Sequence, residues 1–228
     1  TGIISSYLWT RVSGPNTPTI TTSNAVSTTV TGLIQGTYIF QLSVNGGIST
    51  ANTTVNVVTN STWTMFTSQA LVSPIENDRL ALELGVKFRS EVAGFITGVR
   101  FYKTTGNSGT HTGELYSSAG ARLAQAVFTG ETASGWQQVL FSSPVAITAG
   151  TTYIAAYHSS AGNYTSTGNY FATGIVNGPL TGLADGTDGS NGLYAYTAAP
   201  AFPSNSFQKT NYWVDAIFSG TFTSSDQT

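Results

Sequence analysis

Between Ser73 and Ser219 the carboxylates that could move a proton or hold a metal are Glu76, Asp78, Glu83, Glu91, Glu114, Glu131, Asp185, Asp188 and Asp215, joined by His111 and His158. Hydrolysis of a glycosidic bond needs two carboxylates across a cleft, and nucleophilic hydrolysis needs a serine or cysteine backed by a base and an orienting group. None of these residues stands in a nucleophile-elbow, metal-triad or other catalytic spacing. The expectation is a chain that is not an enzyme. Two arrangements suit calcium instead. In "LADGTDGSNG" (183–192), Asp185, Asp188 and Asn191 recur every three residues between glycines and could wrap oxygens around the ion. The stretch lacks the closing glutamate of an EF-hand loop, and Asp-Gly and Asn-Gly pairs are also strong turn formers. Glu83 and Asp215 each interrupt an apolar strand, where an unpaired carboxylate costs several kcal/mol. Their partner is either a structural Ca²⁺ that clips the first and last strands together, or one of Lys87, Arg100 and Lys103.

Binding without catalysis asks for a different set of side chains. "KTTGNSGTHTGE" (103–114) gathers Lys103, Asn107, His111 and Glu114 around glycines, which let a ligand approach the backbone. Such a loop offers a polar rim to sugar hydroxyls, or spends His111 and Asn107 on its own backbone groups. The last third is rich in rings: Tyr164, Tyr170, Phe171, Tyr194, Tyr196, Phe202, Phe207, Tyr212 and Trp213. Sugar rings pack flat C–H faces on aromatic faces while their hydroxyls take hydrogen bonds. Trp136 and Trp213 sit inside alternating strands and read as core. Tyr164, Tyr170, Tyr194 and Tyr196 lie in or beside Gly/Asn loops and read as a glycan platform.

These groups need a frame to position them. Period-two alternation runs through the chain and no window sustains a 3.6-residue repeat, so the fold class is all-β. A first block, 3–58, has turn signals about every ten residues, the pattern of an immunoglobulin-like sandwich. "VTNSTWT" reads as a polar joint. Seven longer strands follow: "ALELGVKFRS", "GFITGVRFYK", "GELYSS", "RLAQAVF", "GWQQVLFSSPVAI", "TTYIAAYHSS" and "NYWVDAIFSG", suited to a two-sheet jelly roll. The 228 residues contain no cysteine, so disulfides and thiolate metal sites are excluded. Only 8% of residues are charged, eight basic against ten acidic, which gives a nucleic acid nothing to hold. No apolar run reaches membrane-span length, so no membrane insertion is expected. The start, Thr rather than Met and without a signal-peptide pattern, reads as part of something longer.

"YLWTRVSGP", "STTVTGL" and "GTYIFQLSV" resemble the PKD-like immunoglobulin-fold repeats of bacterial surface proteins. That resemblance implies Trp9 as a core tryptophan and Tyr38 as a packing residue. It also implies about two further strands before Trp9, lying upstream or supplied by another molecule. "LELGVKFRSEVAGFITGVRFYK", "GNSGTHTGELYSSAGARLAQAVFTGETASGWQQVLFSSPVAITAGTTYIAAYHSSAGNY", "NGPLTGLADG" and "NYWVDAIF" resemble the bacterial β-sandwich family DUF4082 over Ser73 to Ser219. Its members sit in large secreted proteins beside immunoglobulin-like repeats and glycan-active modules, which implies a binding or adhesive role. The expected layout is a partial PKD-like domain over 1–59, a joint over 60–66, a jelly-roll-like sandwich over 67–219 and a polar tail over 220–228. The expected function is a secreted or cell-surface module that holds a polysaccharide or cell-surface glycan on the face 162–208, with no cofactor beyond a structural Ca²⁺. The alternative is an adhesive subunit of an extracellular filament or surface layer, self-assembled through the N-terminal block by strand complementation.

Overall fold

The computed structural model describes residues 3–58, 60–67 and 75–221. The chain is all-β and parts into two compact units at residue 60. The expected tail over 220–228 lies outside the described residues from position 222 onward.

In the first unit β1 (Tyr7–Ser13) and β5 (Ser49–Val57) flank β4 (Gly36–Val44) in an antiparallel sheet, while β2 (Thr19–Ile20) and β3 (Val30–Thr31) form a separate short ribbon. This is a partial immunoglobulin-like sandwich. Tyr38 is fully buried and stacks on Phe40 with ring centroids 5.9 Å apart, while its hydroxyl accepts from Ile34 N at 2.9 Å. Trp9 is only half-buried, with its indole N–H donating to Ala25 O at 3.1 Å. It therefore forms a wall of the unit and is not sealed in a core.

The second unit opens with β6 (Asn60–Trp63) and β7 (Ile75–Asn77). The long strands follow: β8 (Leu82–Ser90), β9 (Gly94–Lys103), β10 (His111–Ser117), β11 (Arg122–Val127), β12 (Gly135–Ile147) and β13 (Tyr153–Ser159). Short pieces then alternate with loops: β14 (Asn163–Thr165), β15 (Ile175–Asn177), β16 (Leu180–Gly182), β17 (Leu193–Tyr196) and β18 (Asn205–Ser206), before the closing β19 (Val214–Thr221). The larger sheet runs β11-β10-β13-β8-β16-β15, with β17 also on β8 and β18 on β17. The smaller runs β12-β9-β19-β6.

Alternation decides what lies between the sheets. Leu82, Leu84, Val86 and Phe88 of β8, Leu115 of β10 and Tyr157 of β13 meet Ile96, Val99 and Phe101 of β9 and Phe218 of β19, all essentially without exposure. Phe101 stacks on Tyr157 at 4.4 Å and meets Phe128 edge-on at 4.9 Å. A Cβ at Gly113 would collide with the Val99 side chain, so glycine lets the sheets close there.

Residues 60–66 are expected as a polar joint, but from Ser61 onward they belong to this sandwich: β6 pairs with β19, and Met65 and Phe66 are fully buried. Asp215 holds them, accepting from Met65 N at 2.9 Å and Phe66 N at 3.1 Å. Two apolar side chains after a polar run were enough to draw the stretch inward.

Candidate functional site

Of the residues expected to bind a ligand, Tyr164, Tyr194 and Tyr196 converge. With Asp78, Leu82, Leu84, Phe207 and Tyr212 they line a pocket of about 290 Å³. Strand geometry explains the meeting. Tyr194 and Tyr196 are two apart on β17 and so share a face; they pair opposite Leu84 and Leu82 of β8. Tyr164, on β14, pairs opposite Glu76 of β7 and comes in from the side. Tyr194 and Tyr196 meet edge-to-face at 5.7 Å, as do Tyr164 and Tyr212 at 5.8 Å. Phe207 and Tyr196 are more than half exposed at the mouth.

Asp78 is the polar centre. Its Oδ2 accepts from the Tyr196 hydroxyl at 2.6 Å and from the Tyr164 hydroxyl at 3.1 Å. The bond to the Asp78 carboxylate, with partial burial, pushes Tyr196 up to about 12. Burial, then Asp78, pushes Tyr164 higher still, and burial raises Tyr212. All three stay neutral hydroxyls at physiological pH. The backbone beside the pocket is strained: Arg79 follows Asp78, and Gln208 and Lys209 follow Phe207, with φ values of 58°, 47° and 51°. Bulky residues seldom adopt that region, and where they do the surroundings must hold them. Here Gln208 O and Lys209 O accept from Asn169 N and Phe171 N at 2.8 and 3.0 Å.

The other expected residues lie elsewhere. Tyr170 packs on Phe66, Trp213 and Phe171 at 6.0, 5.2 and 5.4 Å, in a ring cluster away from the pocket, because Phe66 covers it. Lys103, Asn107 and His111 form a buried network around Glu131. Lys103 Nζ donates to Glu131 Oε2 at 2.7 Å, His111 Nδ1 lies 2.9 Å from Oε1, and His111 Nε2 lies 2.9 Å from Asn107 Oδ1. His111 has no exposure, and burial pulls its pKa below 6.5 despite Glu131. The polar rim expected here is turned inward, tying the loop to the sandwich.

The residues expected to hold calcium are likewise separated. Glu83 and Asp215 stand in opposite sheets, so no ion clips them together. Asp215 Oδ2 instead accepts from Arg100 Nε and Nη2 at 3.1 and 2.7 Å, and Arg100 lies over the Trp136 ring at 4.1 Å. Burial still pushes the Asp215 carboxyl up, against Arg100 and the two backbone amides. In the loop 183–192, Asp185 Oδ1 accepts from Asn191 N at 3.0 Å, while Asp188 Oδ2 accepts from Arg89 at 3.2 Å and from the Thr152 hydroxyl. Asn191 is spent on backbone groups of Lys87, Leu183 and Gly192. No group of three or more metal-ligating His, Asp or Glu side chains occurs among the described residues.

Sequence reasoning passed over Asp78 as a binding residue and took Phe207 and Tyr212 only as members of an aromatic run. Asp78 is separated from Tyr164 by 86 positions and from Tyr196 by 118, so nothing local announces the contact.

No curated protein matches the chain. Residues 1–59 match the K319L-like PKD domain. Residues 67–214, which contain the whole pocket, match the family described as Domain of unknown function (DUF4082), and the chain belongs to that family.

Proposed function

We propose that this chain is a non-catalytic carbohydrate-binding module of an extracellular, multidomain protein, and that it takes its ligand in the pocket around Asp78. The observation that carries this reading is one carboxylate held by two tyrosine hydroxyls inside a half-open aromatic enclosure. Tyr194, Tyr196, Tyr212 and Phe207 offer faces and edges to the C–H surface of a sugar ring, while Asp78 and the hydroxyls pair with its rim. A volume of about 290 Å³ stands at the lower end of ligand pockets, roughly 300–1,000 Å³, and suits a short stretch of sugar. Asp78 is the one carboxylate among the described lining residues, so the second carboxylate of glycosidic hydrolysis is missing from the pocket. Its negative charge also favours a neutral glycan over an acidic one. Binding of this kind is weak per site and gains strength through repeated copies on a cell surface or a secreted protein.

A glycan array probed with the 228-residue chain tests the reading. The expected result is binding to neutral polysaccharides that weakens in Asp78→Asn. Binding confined to acidic glycans, or none at all, would sink it.

A second reading draws on the first unit. Trp9, Ile20, Val26, Val30, Leu33, Phe40 and Val55 line an apolar groove of about 380 Å³ between sheet and ribbon. A strand from another copy laid there would complete the sandwich and make the chain an adhesive or filament subunit. Light scattering decides: a concentration-dependent rise in molar mass supports assembly, and a monomer at all concentrations removes it.

A further inference from the structure

The outer face of the larger sheet carries buried chemistry that the aromatic pocket does not use. Glu114 on β10 stands opposite Ala156 of β13, and Glu83 on β8 stands opposite His158 of β13, one step along the same face of the sheet. Both are without exposure, and Tyr116, two residues along β10 on the same face, is 2% exposed. The segment 197–203 seals this space. Phe202 packs edge-on against Tyr116 at 5.6 Å, and Pro203 lies over Gly85, where an added Cβ would come within 3.0 Å of the proline ring. Thr197 O is 3.0 Å from His158 Nε2, and Ala201 N donates to Glu83 Oε2 at 3.3 Å.

Four oxygens in this sealed space close no hydrogen bond of normal geometry: Glu83 Oε1, Glu114 Oε1, Glu114 Oε2 and the Tyr116 hydroxyl, although Gln125 stands near Glu114 and Arg122 near Tyr116. Buried polar atoms rarely go unpartnered, and buried charges are paired or ligate a metal. The charge count agrees. Arg122 on β11 supplies one positive charge near two carboxyls and so leaves one negative charge unbalanced. A proton can neutralise that charge, but it joins one pair of oxygens and leaves the others bare. A hard cation coordinates several oxygens together.

We propose that Glu83, Glu114 and the Tyr116 hydroxyl bind a hard divalent cation of the Ca²⁺ class beneath the segment 197–203. The site has two carboxylates and one neutral hydroxyl, so its affinity falls in the weak range of extracellular calcium modules, roughly 10⁻⁴–10⁻³ M. Burial first, then Glu114, pushes Glu83 up to about 10, and burial pushes Glu114 up to about 7. Carboxylates bind a cation in their deprotonated form, so binding strengthens as pH rises. This site would brace the sheet, independently of whether the pocket binds a glycan.

The test uses the full chain after dialysis against EDTA. Ca²⁺ at tenfold excess over Kd should raise Tm by about 3–6 °C. Tb³⁺ should show tyrosine-sensitised emission that Ca²⁺ competes away. Glu114→Gln, which removes the carboxyl–carboxyl repulsion and should fold without the ion, must lose the Tm rise. Tyr116→Phe must lose most of the Tb³⁺ emission. No Ca²⁺-dependent rise in the wild type would overturn the proposal in favour of a shared proton, whatever the variants do. A rise that survives in Glu114→Gln, or emission that survives in Tyr116→Phe, would overturn the assignment of these ligands.

Discussion

In the first unit the nine-residue β5 turns six residues, Ser49 to Thr54, to solvent in succession, whereas in the second unit the nine-residue β8 leaves only Lys87 and Arg89 partly uncovered. The two sequences already differ: β5 (STANTTVNV) is polar, uncharged and threonine-rich, while β8 (LELGVKFRS) is largely apolar and carries Glu83, Lys87 and Arg89. What covers them differs as well. β8 has the smaller sheet on one face and the segment 197–203 on the other, so a carboxylate such as Glu83 ends in a dry space and must find a partner. β5 has an open groove beside it and side chains that need none. Chemistry gathers where the second layer forces polar groups and bent backbone together, and Arg79, Gln208 and Lys209 mark that place in the backbone.

Removing partners in each setting should show the contrast most strongly. Arg100→Ala leaves Asp215 at zero exposure without its ion-pair partner, held only by the Met65 and Phe66 amides, and should cost the second unit about 3–5 kcal/mol. Arg89→Ala beside the largely exposed Asp188 should cost less than about 1 kcal/mol. Urea unfolding of both variants gives the comparison directly. Core truncation comes next. Phe101→Ala, between the sheets, should cost about 3–5 kcal/mol, and Phe40→Ala, on the wall of the open groove, about 3 kcal/mol or less. Calorimetry should place the two losses in different unfolding transitions if the units melt separately.

A smaller effect belongs to ligand binding. Tyr194→Ala should lower glycan affinity by roughly 2- to 10-fold, the share of one aromatic contact, with little change in Tm because the ring stands at a half-open pocket. Smallest is a pH effect at His111, whose folded-state pKa is held below the 6.5 of a free imidazole, first of all by burial. Above pH 6.5 neither folded nor unfolded chain binds this proton, and stability is unaffected. As pH falls from 6.5 toward the folded value, the unfolded chain takes up a proton that the folded chain refuses, so stability declines. His111→Gln should flatten the Tm profile over that window, read as the difference between variant and wild type.

Much of this was legible beforehand, and the reasons differ by residue. Alternation gave the long strands of the second unit, because each buries one face. Tyr194 and Tyr196, expected in or beside Gly/Asn loops, stand instead on one face of β17, a strand too short for alternation to announce. Tyr170 was misread because "GNY" looks like an exposed loop, while its cover, Phe66, sits in a stretch that looks polar up to its last residues. Glu83 and Asp215 were each expected to need a partner, and Arg100 supplies one to Asp215. Assigning them a common one assumed that the first and last long strands are neighbours, but β8 adjoins β13, β16 and β17, and β19 adjoins β9 and β6. Asp78 was out of reach because its partners are set by tertiary packing alone.

The most direct test of the central claim is titration calorimetry of the best neutral glycan from the array against Tyr194→Ala and Tyr170→Phe, with both variants shown to fold. The pocket account predicts weakened binding in Tyr194→Ala and unchanged binding in Tyr170→Phe. Unchanged binding in Tyr194→Ala together with loss in Tyr170→Phe would contradict it and move the site to the ring cluster around Phe66.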